Sequence, residues 1–454
     1  MSNFGSTLEN LVVTVSDFVC GYPLFLLLIG GGIFFLIYSK FIPLRYYGHA
    51  LKLLGEKGDS NQGQISPFEA LASAIAATVG IGSIAGVAIA ITMGGPGAIF
   101  WMWVSSIVGM ATKFFEGATA VKYKGYDSEG EIQGGPMYYI TSGLGAKWKP
   151  LAIFFAISGL VGALCVMQSN QLTEAIITVF TTPAGFENTL LLRFCIGLII
   201  CATVSLVVLG GIKRIAKLSA KIVPTMVGIY FVVVFYIIFT NLSDVPSVFV
   251  MIFQGAFNLE AGIGGIIGVA VIGARRAALC NEAGIGTASM MHGASTNKEP
   301  VKEGLIAMIG PSIDSGLVCT LTTLAILLTG DYMSVAGEVK GLALAMNAFE
   351  SAIPGYGSYI LMIIVLFFSY STMFSYSYYG VKCSEYLFGV KRGRYYIYFY
   401  LVMLVVAAMV PLTVAVGLID LFYAFMALPT MFSLFMLAPS IKRELKSYLS
   451  KIGK

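Results

Sequence analysis

Long apolar segments recur along the whole chain and restrict its fold more than any other feature. A run of roughly 20 apolar residues can cross the hydrocarbon core of a bilayer as one helix. We predict eleven such segments: Tyr22–Ile42, Pro67–Met93, Pro96–Lys122, Pro150–Phe180, Thr189–Gly211, Ser219–Thr240, Ala261–Met291, Glu303–Leu328, Gly357–Gly380, Tyr395–Met409 and Leu412–Pro439. Only 11% of the residues are charged, against about 25% in a soluble domain. The sequence therefore predicts an all-α polytopic membrane protein.

Lysines and arginines concentrate on alternate connections between these segments. They fall within 40–57, 122–149, 213–221, 298–302, 382–394 and 442–454, whereas the intervening connections hold little more than Arg193 and Lys340. The positive-inside rule then predicts a cell-membrane protein with its N-terminus outside and its C-terminus in the cytosol. Between the eighth and ninth segments, Glu338–Glu350 is amphipathic, and we expect it to lie along the membrane surface.

The second and seventh segments are each interrupted by closely spaced glycines, in Thr78–Ser83 (TVGIGS) and Ala283–Thr287 (AGIGT). Such glycines weaken a helix. Unwound backbone survives in a membrane only where protein or a polar cavity satisfies its amides and carbonyls. We therefore predict two helices broken around a small polar ligand, a pattern typical of transporters. The alternative is that the glycines only permit close helix packing.

The two breaks lie five segments apart, so segments two to six and seven to eleven form two sets of five. Because each set has an odd number of crossings, the second set enters from the opposite side, which predicts inverted repeats. The expected organisation is an extra N-terminal helix in 1–43, repeats in 66–240 and 259–440, and a cytosolic tail in 441–454.

The segment Gly94–Gly109 (GGPGAIFWMWVSSIVG) closely resembles the signature of the sodium:alanine symporters, the alanine or glycine:cation symporter family. The resemblance continues through Gly109–Glu116, Gly134–Tyr139, Gln168–Asn170, Gly273–Ser289 and Phe368–Gly380. It implies a LeuT-type fold of five plus five inverted helices, preceded here by one extra helix. The chain departs from the family pattern at Ser83 and Tyr376, where we expect Asn and Trp.

A small amino acid would need partners for its carboxylate and its ammonium, since each is costly to bury alone. The half-helix after Gly82 offers free N–H groups to the carboxylate, and the half ending near Ala77 offers carbonyls to the ammonium or to Na⁺. We place the second break near Gly273–Ala278, facing the first. The predicted substrate-binding residues are Ile75, Thr78, Gly80, Gly82, Gln168, Asn170, Gly273, Ala274, Ala277 and Tyr376. The alternative role for the amides of Gln168 and Asn170 is to hold helices together.

Neighbouring hydroxyls at Ser371 and Thr372 could bind a cation at mid-membrane depth. In LeuT-type transporters such a pair joins carbonyls of the first broken helix in a Na⁺ site, and the resemblance assigns those carbonyls to Ala76 and Val79. The alternative is that both hydroxyls bond back to their own helix. No carboxylate lies within the first break or at this pair, which favours Na⁺ over a proton relay.

Charged residues also occur within the apolar segments. We expect Glu282 to pair with Arg275 or Arg276 and to brace or gate the second break, since charges at this depth are usually paired or functional. Asp314 is embedded in the eighth segment. Lys113 and Glu116 lie near the cytosolic end of the third, where we expect both to extend to the interface.

These features favour Na⁺-coupled symport of alanine or glycine by alternating access, with Na⁺ as a co-transported ion. The expected partners are the amino acid and the lipid bilayer, and no nucleic acid. A proton-coupled carrier is the close alternative, and a passive channel is one from a different class. An intramembrane enzyme is disfavoured because neither of the two histidines, His49 and His292, forms part of a recognisable catalytic constellation.

Overall fold

Helices make up almost all of the structure, a computed structural model that describes residues 14–16, 18–56, 63–258, 262–330 and 341–453. The helices are α1 (Tyr22–Tyr38), α2 (Ile42–Leu53), α3 (Pro67–Thr78), α4 (Gly82–Gly94), α5 (Gly97–Lys122), α6 (Pro136–Tyr139), α7 (Lys149–Gly162), α8 (Val166–Ile176), α9 (Leu190–Val208), α10 (Gly211–Thr240), α11 (Val245–Ala256), α12 (Gly262–Asn281), α13 (Thr287–Gly293), α14 (Pro300–Leu328), α15 (Leu342–Ala352), α16 (Gly357–Phe388), α17 (Val390–Gly393), α18 (Tyr396–Met409) and α19 (Leu412–Lys451). The strands β1 (Gly125–Tyr126) and β2 (Ile132–Gln133) form a short antiparallel hairpin between α5 and α6.

Within the described ranges, seven helical stretches are long and apolar enough to cross a membrane, with Ala146–Thr181, which includes α7 and α8, counted as one stretch. The number is nine if each of two bent pairs counts as one span. The bent pairs are α1 with α2 and α3 with α4. Two more of the predicted segments, the seventh and the tenth, form α12 and α18. An all-helical protein with seven to nine membrane-spanning helices is therefore confirmed.

Four parts of the fold differ from the sequence prediction. The first segment bends by 77° and continues as α2, and α11 was not predicted. The last helix runs on to Lys451, through most of the predicted tail. Residues 338–340 of the expected surface segment lie outside the described residues. The remainder forms α15, which ends at Ala352 rather than at Glu350 and buries Leu342, Met346 and Phe349 against the protein.

The first broken helix has a well-defined start. Ser66 caps α3: its hydroxyl accepts a hydrogen bond from the Glu69 N–H, and the Glu69 carboxylate accepts one from the Ser66 N–H. Pro67 occupies the first turn, where its missing N–H costs nothing. The helix ends at Thr78, and α4 leaves at 49° to α3. At the end of α4, Gly95 has φ +68°, which glycine adopts without strain, so the chain turns sharply into α5.

The two broken helices pack against one another at the centre of the protein. Helix α3 contacts α13, and α4 contacts α12. At the crossing, the Cys280 thiol lies 3.2 Å from the Gly82 carbonyl oxygen, and a Cβ on Gly82 would meet the Leu279 carbonyl oxygen at 3.5 Å. Helix α16 packs beside α3, and α5 packs beside α12 and α13. The segments just before one break and just after the other are therefore neighbours.

Candidate substrate and cation sites

The first break is short and lies between Thr78 and Gly82. Val79 has φ −74° and ψ 85°, outside the helical region, and helical hydrogen bonding resumes in a π-helical turn from Gly82 to Gly86. All the residues from Thr78 to Ser83 are buried. The predicted break in the second segment is therefore confirmed, and it leaves backbone groups of Val79 and Gly80 outside regular helix.

Two hydroxyls of α16 donate to carbonyls of α3. The Thr372 hydroxyl lies within donating distance of two carbonyls, that of Ala76 at 3.1 Å and that of Phe368 in its own helix at 3.0 Å. Ser375 donates to the Ser73 carbonyl at 3.0 Å. Thr372 also faces the break, because a Cβ on Gly80 would lie 2.4 Å from its Oγ1 atom. The structure thus places Thr372, Ala76 and Gly80 together.

Ser371 is not part of this arrangement. Its hydroxyl donates to the Phe368 carbonyl of its own helix at 3.0 Å and lies 3.6 Å from the Met226 sulfur of α10. Adjacent residues on a helix point about 100° apart, so Ser371 faces another neighbour when Thr372 faces α3. The expectation that both hydroxyls face the first break is therefore wrong for Ser371. Sequence reasoning missed Ser375, although it lies one turn from Thr372 on the same face.

A narrow cavity adjoins the end of α3. Its water-accessible volume is about 10 Å³, enough for about one water molecule. The residues that line it include two predicted substrate residues, Ile75 and Thr78, together with Lys113, Asn281 and His292. Lys113 Nζ and Asn281 Nδ2 are buried and have no hydrogen-bond partner among the described residues. The cavity wall therefore carries two donors that could pair with an anionic group.

Asp314 lies beside the first break, which the sequence did not predict. It is fully buried in the π-helical part of α14, where its Oδ1 atom accepts a 2.6 Å hydrogen bond from the Ser83 hydroxyl. Thr322, further along α14, donates to the Ser83 carbonyl at 2.9 Å. Helix α14 is therefore attached to the first turn after the break.

The second break lies at Glu282–Gly286, where the glycine spacing of Ala283–Thr287 predicts it, and not at Gly273–Ala278, the residues predicted to face the first break. Residues 273–278 are inside the continuous helix α12, so they are not unwound. At Gly273 a Cβ would lie 2.4 Å from the Ala98 carbonyl oxygen. This residue therefore faces α5 and leaves no room for a ligand. Ala274 and Ala277 are buried on the same helix. The backbone turns where Glu282, Gly284 and Gly286 all have positive φ.

The Glu282 carboxylate braces this second break. One of its oxygens accepts a hydrogen bond from Thr287, on the far side of the break, and the other accepts from the hydroxyls of Tyr376 and Tyr423. Tyr376, a predicted substrate residue, therefore has its hydroxyl directed to Glu282 and Tyr423. Carboxylate oxygens accept such hydrogen bonds strongly.

The predicted pairing of Glu282 with an arginine is wrong. Arg275 and Arg276 both donate to Asp420 of α19, at 2.8 Å and 2.5 Å. Both arginines lie on α12 ahead of the break, and the adjacent carboxylate of Asp420 offers them an ion pair in a buried environment. They connect α12 to α19. Asp420 was overlooked, although a single acid in an apolar segment was a signal available in the sequence.

Lys113 and Glu116 do not extend to the interface as predicted. Both are buried, at 3% and 1% exposure, and their charged atoms lie 3.8 Å apart. Glu116 accepts hydrogen bonds from the Gly284 N–H at 2.5 Å and from the Ser289 hydroxyl at 3.3 Å. Glu116 thereby accepts a hydrogen bond from backbone that the second break leaves outside regular helix. A buried N–H group without a partner is costly, so the carboxylate stays buried instead of extending to water.

Comparison with known proteins shows the family of the chain. A sequence model of the "Sodium:alanine symporter family" matches residues 5–454. The chain belongs to the sodium:alanine symporter family. It is 36% identical to the sodium/alanine symporter AgcS of Methanococcus maripaludis, over 97% of both chains. It is 33% identical to the amino-acid carrier protein AlsT of Bacillus subtilis, over 99% of this chain and 93% of AlsT. YrbD of the same species, whose name describes a putative sodium/proton-dependent alanine carrier, is 35% identical over 85% of this chain and 80% of its own.

In this sodium:alanine symporter family member, the two predicted amide residues of α8 differ in their contacts. The Asn170 side chain donates to the Val410 carbonyl at 2.5 Å and lines a cavity of about 390 Å³ with Glu174 and Arg193, which form an ion pair. Gln168 is buried, and its Oε1 atom has no partner among the described residues. Asn170 therefore connects helices here, whereas Gln168 keeps a free acceptor.

Proposed function

We propose that this symporter couples the entry of Na⁺ to that of alanine, and of glycine as a second small neutral substrate, by alternating access. The observation that carries the proposal is the contact of Thr372 with both Ala76 and Gly80 across the first break. It supports a cation site of neutral oxygens on a membrane helix that is unwound at this point. Membership of the sodium:alanine symporter family supports the same ion and the same substrate.

We infer eleven membrane spans in a LeuT-type arrangement, with the N-terminus outside and the C-terminus in the cytosol. The repeats are 66–240 and 259–440, after an extra helix in 1–43. The support is the pairing of α3 with α13 and of α4 with α12, which two inverted repeats around one pseudo-twofold axis would produce. The alternation of basic connections supports the orientation.

The substrate zwitterion is proposed to bind at the first break, against Ile75, Thr78, Gly80 and Gly82. The N–H groups that begin α4 would take the carboxylate, and the carbonyls that end α3 would take the ammonium. The Asn281 Nδ2 atom, which has no hydrogen-bond partner among the described residues, lines the cavity at the end of α3 and supports a polar ligand there. Ala277, Gln168 and Tyr376 are proposed as further walls, and opening the narrow cavity would require movement of α3 against α13.

The Na⁺ is proposed to bind between the Thr372 hydroxyl and the carbonyls of Ala76 and Val79. Na⁺ prefers oxygen ligands, and the Thr372 hydroxyl already approaches one of these carbonyls. Ser371 would join only after a rotamer change that breaks its bond to Phe368. A proton in place of Na⁺ is the second candidate, favoured by the buried carboxyl group of Asp314 beside the same break.

Proteoliposomes carrying the purified protein test this function. An inward Na⁺ gradient should drive accumulation of labelled alanine, and replacing Na⁺ by choline at fixed pH should abolish it. Uptake that survives in choline and follows a proton gradient would instead establish the proton-coupled carrier. Absence of alanine and glycine uptake under both gradients would remove the proposal.

A further inference from the structure

Asp314 is a buried acid that the proposed Na⁺ site does not use. Its side chain is 0% exposed, and only Oδ1 has a hydrogen-bond partner, the Ser83 hydroxyl. Its other oxygen, Oδ2, has no partner among the described residues. An ionised carboxylate in that position would lack compensation for the hydration it has lost. The group therefore requires a cation when it is ionised, or a proton.

The cationic side chain that acts on Asp314 is already committed elsewhere. Lys113, on α5, attracts the Asp314 carboxylate electrostatically. Its Nζ atom lies 3.8 Å from Glu116, however, and is not a hydrogen-bond partner of Asp314. Glu282, at the second break, repels the Asp314 carboxylate electrostatically. The Cys319 thiol also lies near Asp314 and adds no positive charge.

The position of Asp314 connects it to the shape of the first break. Ser83 follows the break and donates to the carboxyl group, and Thr78 precedes the break and lies close enough to interact with it. Thr78 also lines the narrow cavity. A change in the charge of Asp314 would therefore act on both ends of the unwound segment.

We propose that the Asp314 carboxyl group is a second cation site, separate from the one at Thr372, which takes up a proton or a second Na⁺ when the first break is loaded. The carboxylate charge of Asp314 is neutralised in the loaded state and becomes costly when the cation leaves. Since Ser83 after the break donates to this group and Thr78 before the break lies near it, loading of the substrate and of the second cation favour each other. The proposal rests on the proposed symport.

Cation dependence of the wild-type protein in proteoliposomes is the first test. Alanine uptake is measured against Na⁺ at constant pH, and against pH over roughly 5.5 to 8.5 at saturating Na⁺, a range that spans the titration of a buried carboxyl group. A Hill coefficient for Na⁺ well above one without pH dependence assigns Na⁺ to the site. A coefficient of one with uptake that falls as pH rises assigns a proton. A coefficient of one together with uptake that is flat in pH would overturn the proposal.

The second test compares Asp314→Asn with Thr323→Ala. The control hydroxyl is on the same helix and donates to the Cys319 carbonyl of that helix. Asp314→Asn should lose the second-cation dependence and keep a single-site Na⁺ dependence, whereas Thr323→Ala should keep both. Wild-type cation dependence in Asp314→Asn contradicts the site. If that variant does not fold, Ser83→Ala should shift the half-saturating second cation severalfold, and an unchanged value counts against the proposal.

A third experiment, which measures cation binding without transport, tests the Asp314 site independently of the proposed function. The melting temperature of purified protein without amino acid is measured in Na⁺ and in choline across the same pH range. A cation-dependent increase that is larger in the wild type than in Asp314→Asn, which keeps the Thr372 site, supports the Asp314 site even if the wild type fails to accumulate alanine, a failure that would remove only the symport proposal. An equal increase in wild type and variant would refute the Asp314 site.

Discussion

The two breaks expose backbone inside a membrane protein in the same way, but they satisfy it with different chemistry. Around the first break hydroxyls donate to backbone carbonyls, Thr372 to Ala76 and Thr322 to Ser83, and the one carboxyl group, that of Asp314, accepts only from the Ser83 hydroxyl among the described residues. Around the second, two carboxylates accept most of the hydrogen bonds, Glu116 from the Gly284 N–H and Glu282 from three hydroxyls. Charged acceptors form stronger hydrogen bonds than neutral ones. The second break is therefore held more firmly.

The backbone conformations of the two breaks also indicate that the second break is held more firmly than the first. At the second break Glu282 has φ +51°, and Gly284 and Gly286 have φ +88° and +94°. A positive φ at a residue such as Glu282 persists only where surrounding structure enforces it. At the first break Val79 stays at negative φ. The difference indicates that the second break, Glu282–Gly286, is a rigid part of the structure, which we call the frame. The first break, which adjoins the narrow cavity and Thr372, is the part that ligands can rearrange.

The largest effect is expected at the frame. Gly284→Val places a Cβ 2.7 Å from Leu28 and 2.9 Å from Met431 at φ +88°, so strain and overpacking together should cost on the order of 3 kcal/mol or more. We expect little folded protein by size-exclusion chromatography after detergent extraction. Gly264→Val, at a position with open space around the Cβ, is the control. Normal recovery of Gly284→Val would show that the second break is not a rigid frame.

At the first break a smaller change should abolish transport without unfolding the protein. Gly80→Ala brings a Cβ to 2.4 Å from the Thr372 hydroxyl, whereas Gly86→Ala meets its nearest neighbour, Cys280, at 3.7 Å. We expect Na⁺-driven alanine uptake below a tenth of wild type for Gly80→Ala and within twofold for Gly86→Ala, with similar elution profiles. Equal uptake in the two variants would mean that Gly80 does not adjoin a functional site.

Hydrophobic runs and glycine spacing predicted the location of the first break because both follow from local sequence. Thr78–Ser83 could be recognised as weak helix without knowledge of any neighbour. The same spacing in Ala283–Thr287 predicts the second break, whereas the prediction that Gly273–Ala278 faces the first break is wrong, because Gly273 is equally consistent with close packing. In the structure it packs against Ala98, a contact between segments that are distant in the chain.

The partners of the buried charges could not be read from sequence for the same reason. Arg275 and Glu282 are close in the chain, but the arginine pairs with Asp420 on α19 and the glutamate with Tyr376 on α16 and Tyr423 on α19. Hydropathy gives the depth of such groups and not the helix they face. Ser371 and Thr372 show that hydropathy also does not give the rotation of a helix about its axis. Both carry hydroxyls within the same predicted segment, but the rotation of α16 directs only Thr372 toward α3.

Glu116→Gln should weaken the frame while leaving ion recognition intact. The amide keeps the shape of the side chain but loses the charge that strengthens the bond to the Gly284 N–H, and a buried charge-assisted bond contributes about 1.5 to 3 kcal/mol. We expect a lower melting temperature in detergent, with half-saturating Na⁺ for uptake within twofold of wild type. An unchanged melting temperature would show that the carboxylate charge is not needed to hold the second break.

The smallest effect should be the most selective, and it compares neighbouring hydroxyls. Thr372→Ala removes an oxygen beside the Ala76 carbonyl, and loss of about 1.4 kcal/mol of Na⁺ binding would raise half-saturating Na⁺ roughly tenfold. Ser371→Ala removes a hydroxyl that faces Phe368 and Met226, so its half-saturating Na⁺ should change less than twofold. Because alanine affinity at saturating Na⁺ should stay near wild type in both, the ratio of the two Na⁺ constants isolates the ion site. If both variants shift equally, Ser371 turns toward the break when Na⁺ binds. If neither shifts, the cation lies elsewhere, and the first break would then bind the amino acid alone.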